Sequence, residues 1–172
     1  MGAMLLAALG LLFFIPWFTG DKILFPRHTA SYLPWRDTVP ARDLRQIDKA
    51  ANPLMSDKVY MFQPELTLSR RRIHEGHLPL WDPYTLAGIP HIAQGLPATF
   101  DPLNFSYLIM APERSYVLTG FLQTVLGAVF MLLFLRSLEL RHFPATIGGM
   151  AFGFSGWMLV HLHYFMITGA AM

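Results

Sequence analysis

The sequence predicts an all-α polytopic membrane protein with one spanning helix, a long partly helical loop and two further spanning helices. Three observations lead there. All of the 13 Lys and Arg and 11 Asp and Glu residues fall outside three apolar stretches. Each stretch is close to the length needed to cross a hydrocarbon core about 30 Å thick, which takes on the order of 20 helical residues. In hydrocarbon every backbone amide must be paired within its own segment, so uncharged runs of this length read as helices and not as strands. A soluble fold with three such segments buried would need a far larger core than 172 residues provide.

The first element spans residues 1–18, slightly short but free of charge. It has no basic region before Leu5 and no small-residue cleavage site after Trp17, so it reads as a retained helix and not as a signal peptide. The second spanning helix covers residues 116–135. A short link, 136–143, leads to a third apolar segment over 144–172, in which the spanning helix is followed by the start of a next segment. The link carries Arg136, Glu139 and Arg141, and short loops rich in Lys and Arg stay in the cytoplasm. That places the amino terminus in the cytoplasm and the loop, residues 19–115, outside it. Its eleven basic residues are nearly balanced by ten acidic ones, and the charge rule weakens for loops longer than about 60 residues. The final residues, Ile167 to Met172, are still apolar with no polar cap. The chain therefore reads as the amino-terminal portion of a longer polytopic protein, or as a small subunit leaning on membrane partners.

Composition excludes some functions. A net charge of +2 with no basic stripe argues against nucleic acid as a partner, and the absence of cysteine excludes disulfides and thiolate metal sites. His74, His77 and His91 lack the tight spacing of a zinc site. Gly148, Gly149, Gly153 and Gly156 form a small-residue strip suited to close helix packing in a membrane.

Within the loop, Pro26, Pro34 and Pro40 interrupt any long helix, and Arg42–Ala51 forms a short polar one. Ser56 suits an N-cap, and Val59, Phe62, Leu66 and Ile73 recur at helical spacing on one face. Pro64 either kinks this helix or opens a second one. Arg70, Arg71 and Arg72 fill the last turn, Gly76 fits the C′ position and Pro79 follows. From Gly76 to Asn104 the chain is rich in aromatic residues, Pro and Gly, which favours fixed turns over regular elements.

The order of these pieces carries a resemblance. Asn52-Pro53 precedes Ser56-Asp57-x-Val59-Tyr60-x-Phe62-Gln63-Pro64. Then come Gly76-x-Leu78-Pro79-Leu80-Trp81-Asp82-Pro83-Tyr84, Gly88-x-Pro90 and Phe100-x-Pro102-Leu103-Asn104. Phe152-x-Phe154-Ser155-Gly156 with His161-x-His163 closes the series. From Asn52 to His163 this resembles the YfhO-like bacterial membrane proteins, placed among the GT-C-type glycosyltransferases that use polyprenyl-phosphate sugars. Asp82 stands where that family often has Asn, and Asp101 where an aromatic is common.

The resemblance implies a GT-C-like start to a protein of about a dozen helices in a bacterial cell membrane, moving a sugar from a polyprenyl phosphate to an acceptor outside the cytoplasm. Such a transfer needs a carboxylate as general base and stabilisation of the departing phosphate. Asp57, embedded in the matching motif, is the implied catalytic residue. In a bland reading it only sits in a first helical turn and complements the dipole. Substrate contacts fall to Gln63, Arg70, Trp81, Tyr84, Gln94, His161 and His163. Arg70 to Arg72 can counter a phosphate or simply cap a solvated helix end. Trp81 and Tyr84 can stack on a sugar ring or anchor the loop at headgroup level. No cofactor is certain, and a divalent cation between Asp57 and the lipid phosphate is compatible with the family. The competing function is a non-catalytic membrane subunit whose loop docks onto a larger complex.

Overall fold

The structure is a computed structural model and describes residues 1–20, 35–41, 43–44, 57–94 and 99–161. It divides into two compact units, one formed by Met1–Ile23 with Ala98–Met172 and the other by Leu24–Pro97.

In the first unit, α1 (Gly2–Thr19) is apolar around its whole circumference. Leu6, Gly10 and Phe14 are buried, yet Leu5, Leu12 and Ile15 on other faces are exposed. A helix greasy on every side needs an apolar surround as well as a packed neighbour. Pro16 removes one backbone donor near the end of this helix.

Residues 99–111 then lie against the start of the next long helix. Asp101 Oδ1 accepts from the Leu103 amide at 2.9 Å and opens a 3-10 turn over Pro102–Asn104. In chain order the loop-unit helix α2 (Gln63–His74) comes before this stretch, and a single turn, α3 (Ser106–Ile109), follows the 3-10 turn. Tyr107 is fully buried and donates to the Thr99 carbonyl at 3.1 Å, and burial pushes its phenol pKa up to about 12. Thr119 Oγ1 donates to the Leu103 carbonyl at 3.1 Å, and the Ser106 and Ser115 hydroxyls meet at 2.6 Å. The Phe100-x-Pro-Leu-Asn motif is thus fastened to the long helix through the Leu103 carbonyl.

Helix α4 (Pro112–Ser137) is the central element, with Pro112 in its first turn. It packs against α1 and against α5 (His142–Gly153). Leu6 of α1 joins Ala128 and Leu132 of α4 in a buried cluster, with Val129 against it. Phe121 meets Phe14 and Phe18 edge-on, with centroids 5.9 and 5.6 Å apart.

Two of the four glycines of the small-residue strip explain the close approach of α5. A Cβ on Gly149 would lie 2.6 Å from the Ala128 carbonyl oxygen, and one on Gly153 would lie 2.8 Å from that of Thr124. Gly156 has open space around it and Gly148 faces only the Leu135 side chain. The third apolar segment is interrupted. Helix α5 ends at Gly153, Phe154 and Ser155 leave the helical path, and α6 (Gly156–His161) resumes.

Three stretches, Gly2–Thr19, Arg114–Ser137 and His142–His161, are long and apolar enough to cross a membrane. They fall on the three apolar stretches of the sequence, the middle one extending further at its polar ends, and residues 162–172 of the third lie outside the described residues. The short polar helix expected over Arg42–Ala51, and the Ser56 cap, lie largely or wholly outside the described residues.

Candidate functional site

The loop unit is built on α2 (Gln63–His74), preceded by a π-helical turn over Lys58–Phe62. Pro64 sits within the first two positions of α2, so it opens this helix instead of kinking a longer one. The helix stops where expected. Gly76, at φ +80°, takes the left-handed conformation, and the amides of Glu75, Gly76 and His77 bond back to Arg71, Ile73 and Arg72.

The apolar face runs through Phe62 and Leu66, both buried, but it also carries Glu65 and Ser69. A four-residue separation puts these two polar side chains one turn apart on the same face. The segment after α2 folds back as a small hairpin, β1 (Trp81–Asp82) and β2 (Ile89–Pro90), antiparallel with Trp81 opposite Pro90. Regular pairing was not expected here, and the turn residues explain how it arises. Asp82 Oδ1 accepts from the Tyr84 amide at 2.8 Å, and Oδ2 accepts from Thr85 Oγ1 at 2.5 Å. Gly88, at φ +100°, lies under the Trp81 indole, where a Cβ would come within 2.6 Å of Nε1.

The hairpin brings His91 onto α2. Ser69 Oγ and His91 Nε2 lie 2.7 Å apart, and both residues are buried. Asp82, 4% exposed, and Glu65, 9% exposed, complete a buried polar cluster. Glu65 Oε2 and His91 Nδ1 have no hydrogen-bond partner. Burial, with the Asp82 charge adding to it, pushes the Glu65 carboxyl above its ordinary range. Burial likewise lowers His91 and favours its neutral form, against the opposing pull of Asp82. Burial works to raise Asp82, but the hydrogen bonds from Thr85 and the Tyr84 amide, with His91 nearby, outweigh it and hold Asp82 low.

On the solvent side of α2, Thr67, Arg70, Arg71 and His74 line an open groove of about 260 Å³. Arg71 Nε donates to Glu75 Oε1 at 2.9 Å, and Arg72 stands 3.8 Å from the other carboxylate oxygen. The bond to Glu75, helped by the Tyr84 side chain, raises the Arg71 pKa further and keeps it charged.

The residues anticipated from sequence are placed as follows. Asp57 is exposed at the start of the π-helical turn, and Gln63 is half-buried in the first turn of α2. Arg70 lines the groove. Trp81 rests over Gly88 and is 51% exposed, and Tyr84 is exposed. Gln94 belongs to a 3-10 turn over Ile92–Gln94, of which the backbone alone is described. His161 ends α6 in the membrane unit, with Nδ1 2.8 Å from the Trp157 carbonyl and its ring stacked on that indole at 4.8 Å. His163 lies outside the described residues.

Arg70, Trp81 and Tyr84 thus share the loop unit with Asp57 and Gln63. The buried quartet of Glu65, Ser69, Asp82 and His91 was not anticipated as a set. Its one legible signal was the pair of polar residues interrupting the apolar face of α2. Among the described residues no three His, Asp or Glu side chains are placed to hold a metal ion. Comparison of the chain with family models, curated proteins and solved structures finds no match in any of the three.

Proposed function

We propose that this chain is the amino-terminal part of a membrane glycosyltransferase that moves a sugar from a polyprenyl phosphate to an acceptor hydroxyl outside the cytoplasm. The observation that carries the reading is the groove of Thr67, Arg70, Arg71 and His74, on the same helix that anchors the Trp81–Tyr84 hairpin. Cationic donors suited to a phosphate and aromatic faces suited to a sugar ring are thereby held in one small unit. The orientation with this unit outside the cytoplasm belongs to the same proposal, and rests on the Arg136 and Arg141 link.

In this reading the Asp57 carboxylate takes the proton of the acceptor hydroxyl while that oxygen attacks the anomeric carbon. The bond from that carbon to the phosphate oxygen breaks, and the polyprenyl phosphate leaves with the electron pair. Arg70 and Arg71 stabilise the charge that develops on it. The exposure of Asp57 supports access by an acceptor.

The test uses membranes carrying the full protein and a radiolabelled polyprenyl-phosphate sugar. Asp57→Asn is expected to insert normally and to lose about a hundredfold or more of the transfer rate. Arg70→Ala is expected to act mainly on donor affinity. Wild-type turnover in Asp57→Asn would remove Asp57 as the base.

A further inference from the structure

The hairpin presents an apolar ridge that the rest of its unit does not cover. Leu78 is 65% exposed and Leu86 is 91% exposed, with Leu80, Trp81, Tyr84 and Ile92 also outward. Asp82, which alternates with Trp81 along β1, points inward. Leu86 also holds φ +54°, a left-handed conformation that a branched residue adopts at a cost. Leu86 thus stands almost fully in solvent in a conformation that costs free energy.

Charge around the ridge is mixed but net basic, three arginines against two carboxylates. Arg70, Arg71, Arg72, His74 and His77 lead into it. The two carboxylates of the stretch are already engaged, Glu75 by Arg71 and Arg72, and Asp82 by Tyr84 and Thr85. Leucine at a tip, Trp and Tyr beside it and cations behind is the order of side chains met on passing from the acyl region through the interface to anionic headgroups. The unit is also tethered at both ends to apolar helices of spanning length, α1 and α4, so a bilayer surface is the partner present at the highest local concentration.

We infer that the Leu78–Leu86 hairpin is a lipid anchor, with Leu86 and Leu78 inserted into the acyl boundary of the adjacent leaflet and Trp81 and Tyr84 at headgroup level. Only side chains enter. The paired backbone of the hairpin stays in the interface, because its outer amides and carbonyls need water or headgroup partners. This placement assigns Trp81 and Tyr84 to the interface in place of a sugar ring, and leaves the roles proposed for Asp57, Arg70 and Arg71 untouched.

These 172 residues contain no cysteine, and any cysteine elsewhere in the full protein is replaced before single reporters are introduced. Leu86→Cys and, as a second position, Leu78→Cys are spin-labelled in the full protein reconstituted in nanodiscs containing anionic lipid. Collision rates with oxygen, which concentrates in lipid, and with a water-soluble nickel chelate are compared. Leu133→Cys, exposed on the spanning helix α4, sets the lipid reference, and Glu139→Cys in the link sets the aqueous one. Labels at 86 and 78 are expected near the lipid reference, with nickel collisions about tenfold below those at 139. Values matching Glu139→Cys overturn the inference. Protection from both reagents also overturns it, since the ridge would then be covered by protein.

Discussion

Ser69→Ala is the most informative perturbation of the loop unit. It removes the 2.7 Å hydrogen bond to His91 Nε2, and His91 is 1% exposed with Nδ1 already lacking a partner. The variant leaves a buried neutral imidazole with that bond gone. An unsatisfied buried group costs about 1–3 kcal/mol. At 1.4 kcal/mol per decade, a loss of about 2 kcal/mol raises the open population roughly thirtyfold.

The reporter is the His91 amide, which bonds to the Leu80 carbonyl at 2.9 Å and closes the hairpin. Hydrogen exchange by mass spectrometry on the reconstituted protein should show it exchanging ten to thirty times faster in Ser69→Ala at neutral pH. The double variant Ser69→Ala/His91→Leu should recover much of the protection, because removing both polar partners is far cheaper than orphaning one.

Acidification gives a second arm. His91 has a folded pKa below its ordinary 6.5, so its contribution is present above 6.5 and is lost as pH falls through the lowered value. Glu65 works the other way. Its raised pKa makes it stabilising below 4.5, and that contribution is lost as pH rises through the raised value. The two oppose each other, so the loss from His91 should be read in a Glu65→Gln background, where protection of the His91 amide begins to fall just below pH 6.5, before Asp82, whose pKa is held low, takes part below 3.8. Unchanged exchange in Ser69→Ala, or the same single-variant loss persisting in the double variant, would refute the reasoning.

Two predictions concern the membrane unit. Gly153→Val should lower the thermal midpoint in detergent by the equivalent of about 1–3 kcal/mol, because its side chain meets the α4 backbone, whereas Gly156→Ala should be neutral. Equal effects at the two positions would disprove the packing account. Gln123 is fully buried with both amide atoms lacking partners, so Gln123→Leu should hold or raise that midpoint. A clear fall would refute this account of the buried amide.

Much of the fold was legible because membrane insertion is a local property. The spans appear in the sequence because each residue's transfer into hydrocarbon depends on its own side chain. The end of α2 appears for a similar reason, since Gly76 supplies the left-handed residue that its last turn requires. The choice at Pro64 was less clear, because a proline can kink a helix or start one and only the preceding π-helical turn decides it.

The site divides the same way. Arg70, Trp81 and Tyr84 were recognisable from residue type and motif, and they do share one unit. His91 drew attention only as a poor zinc ligand, yet its partner is a serine 22 residues earlier. Nothing in the spacing encodes that contact. It follows from the hairpin register, set by the Asp82 turn and by Gly88 under Trp81.

The sequence by itself determined three charge-free spans, a charged loop between the first two, and the stop of the arginine helix. These rest on solvation of single side chains and on the conformational freedom of single residues. Only the tertiary structure decided that Glu65, Ser69, Asp82 and His91 share one buried cluster, that Gly149 and Gly153 meet α4 while Gly156 does not, and that the third span breaks at Phe154 and Ser155. Each of these depends on which distant surface a residue meets, and chain order does not specify that.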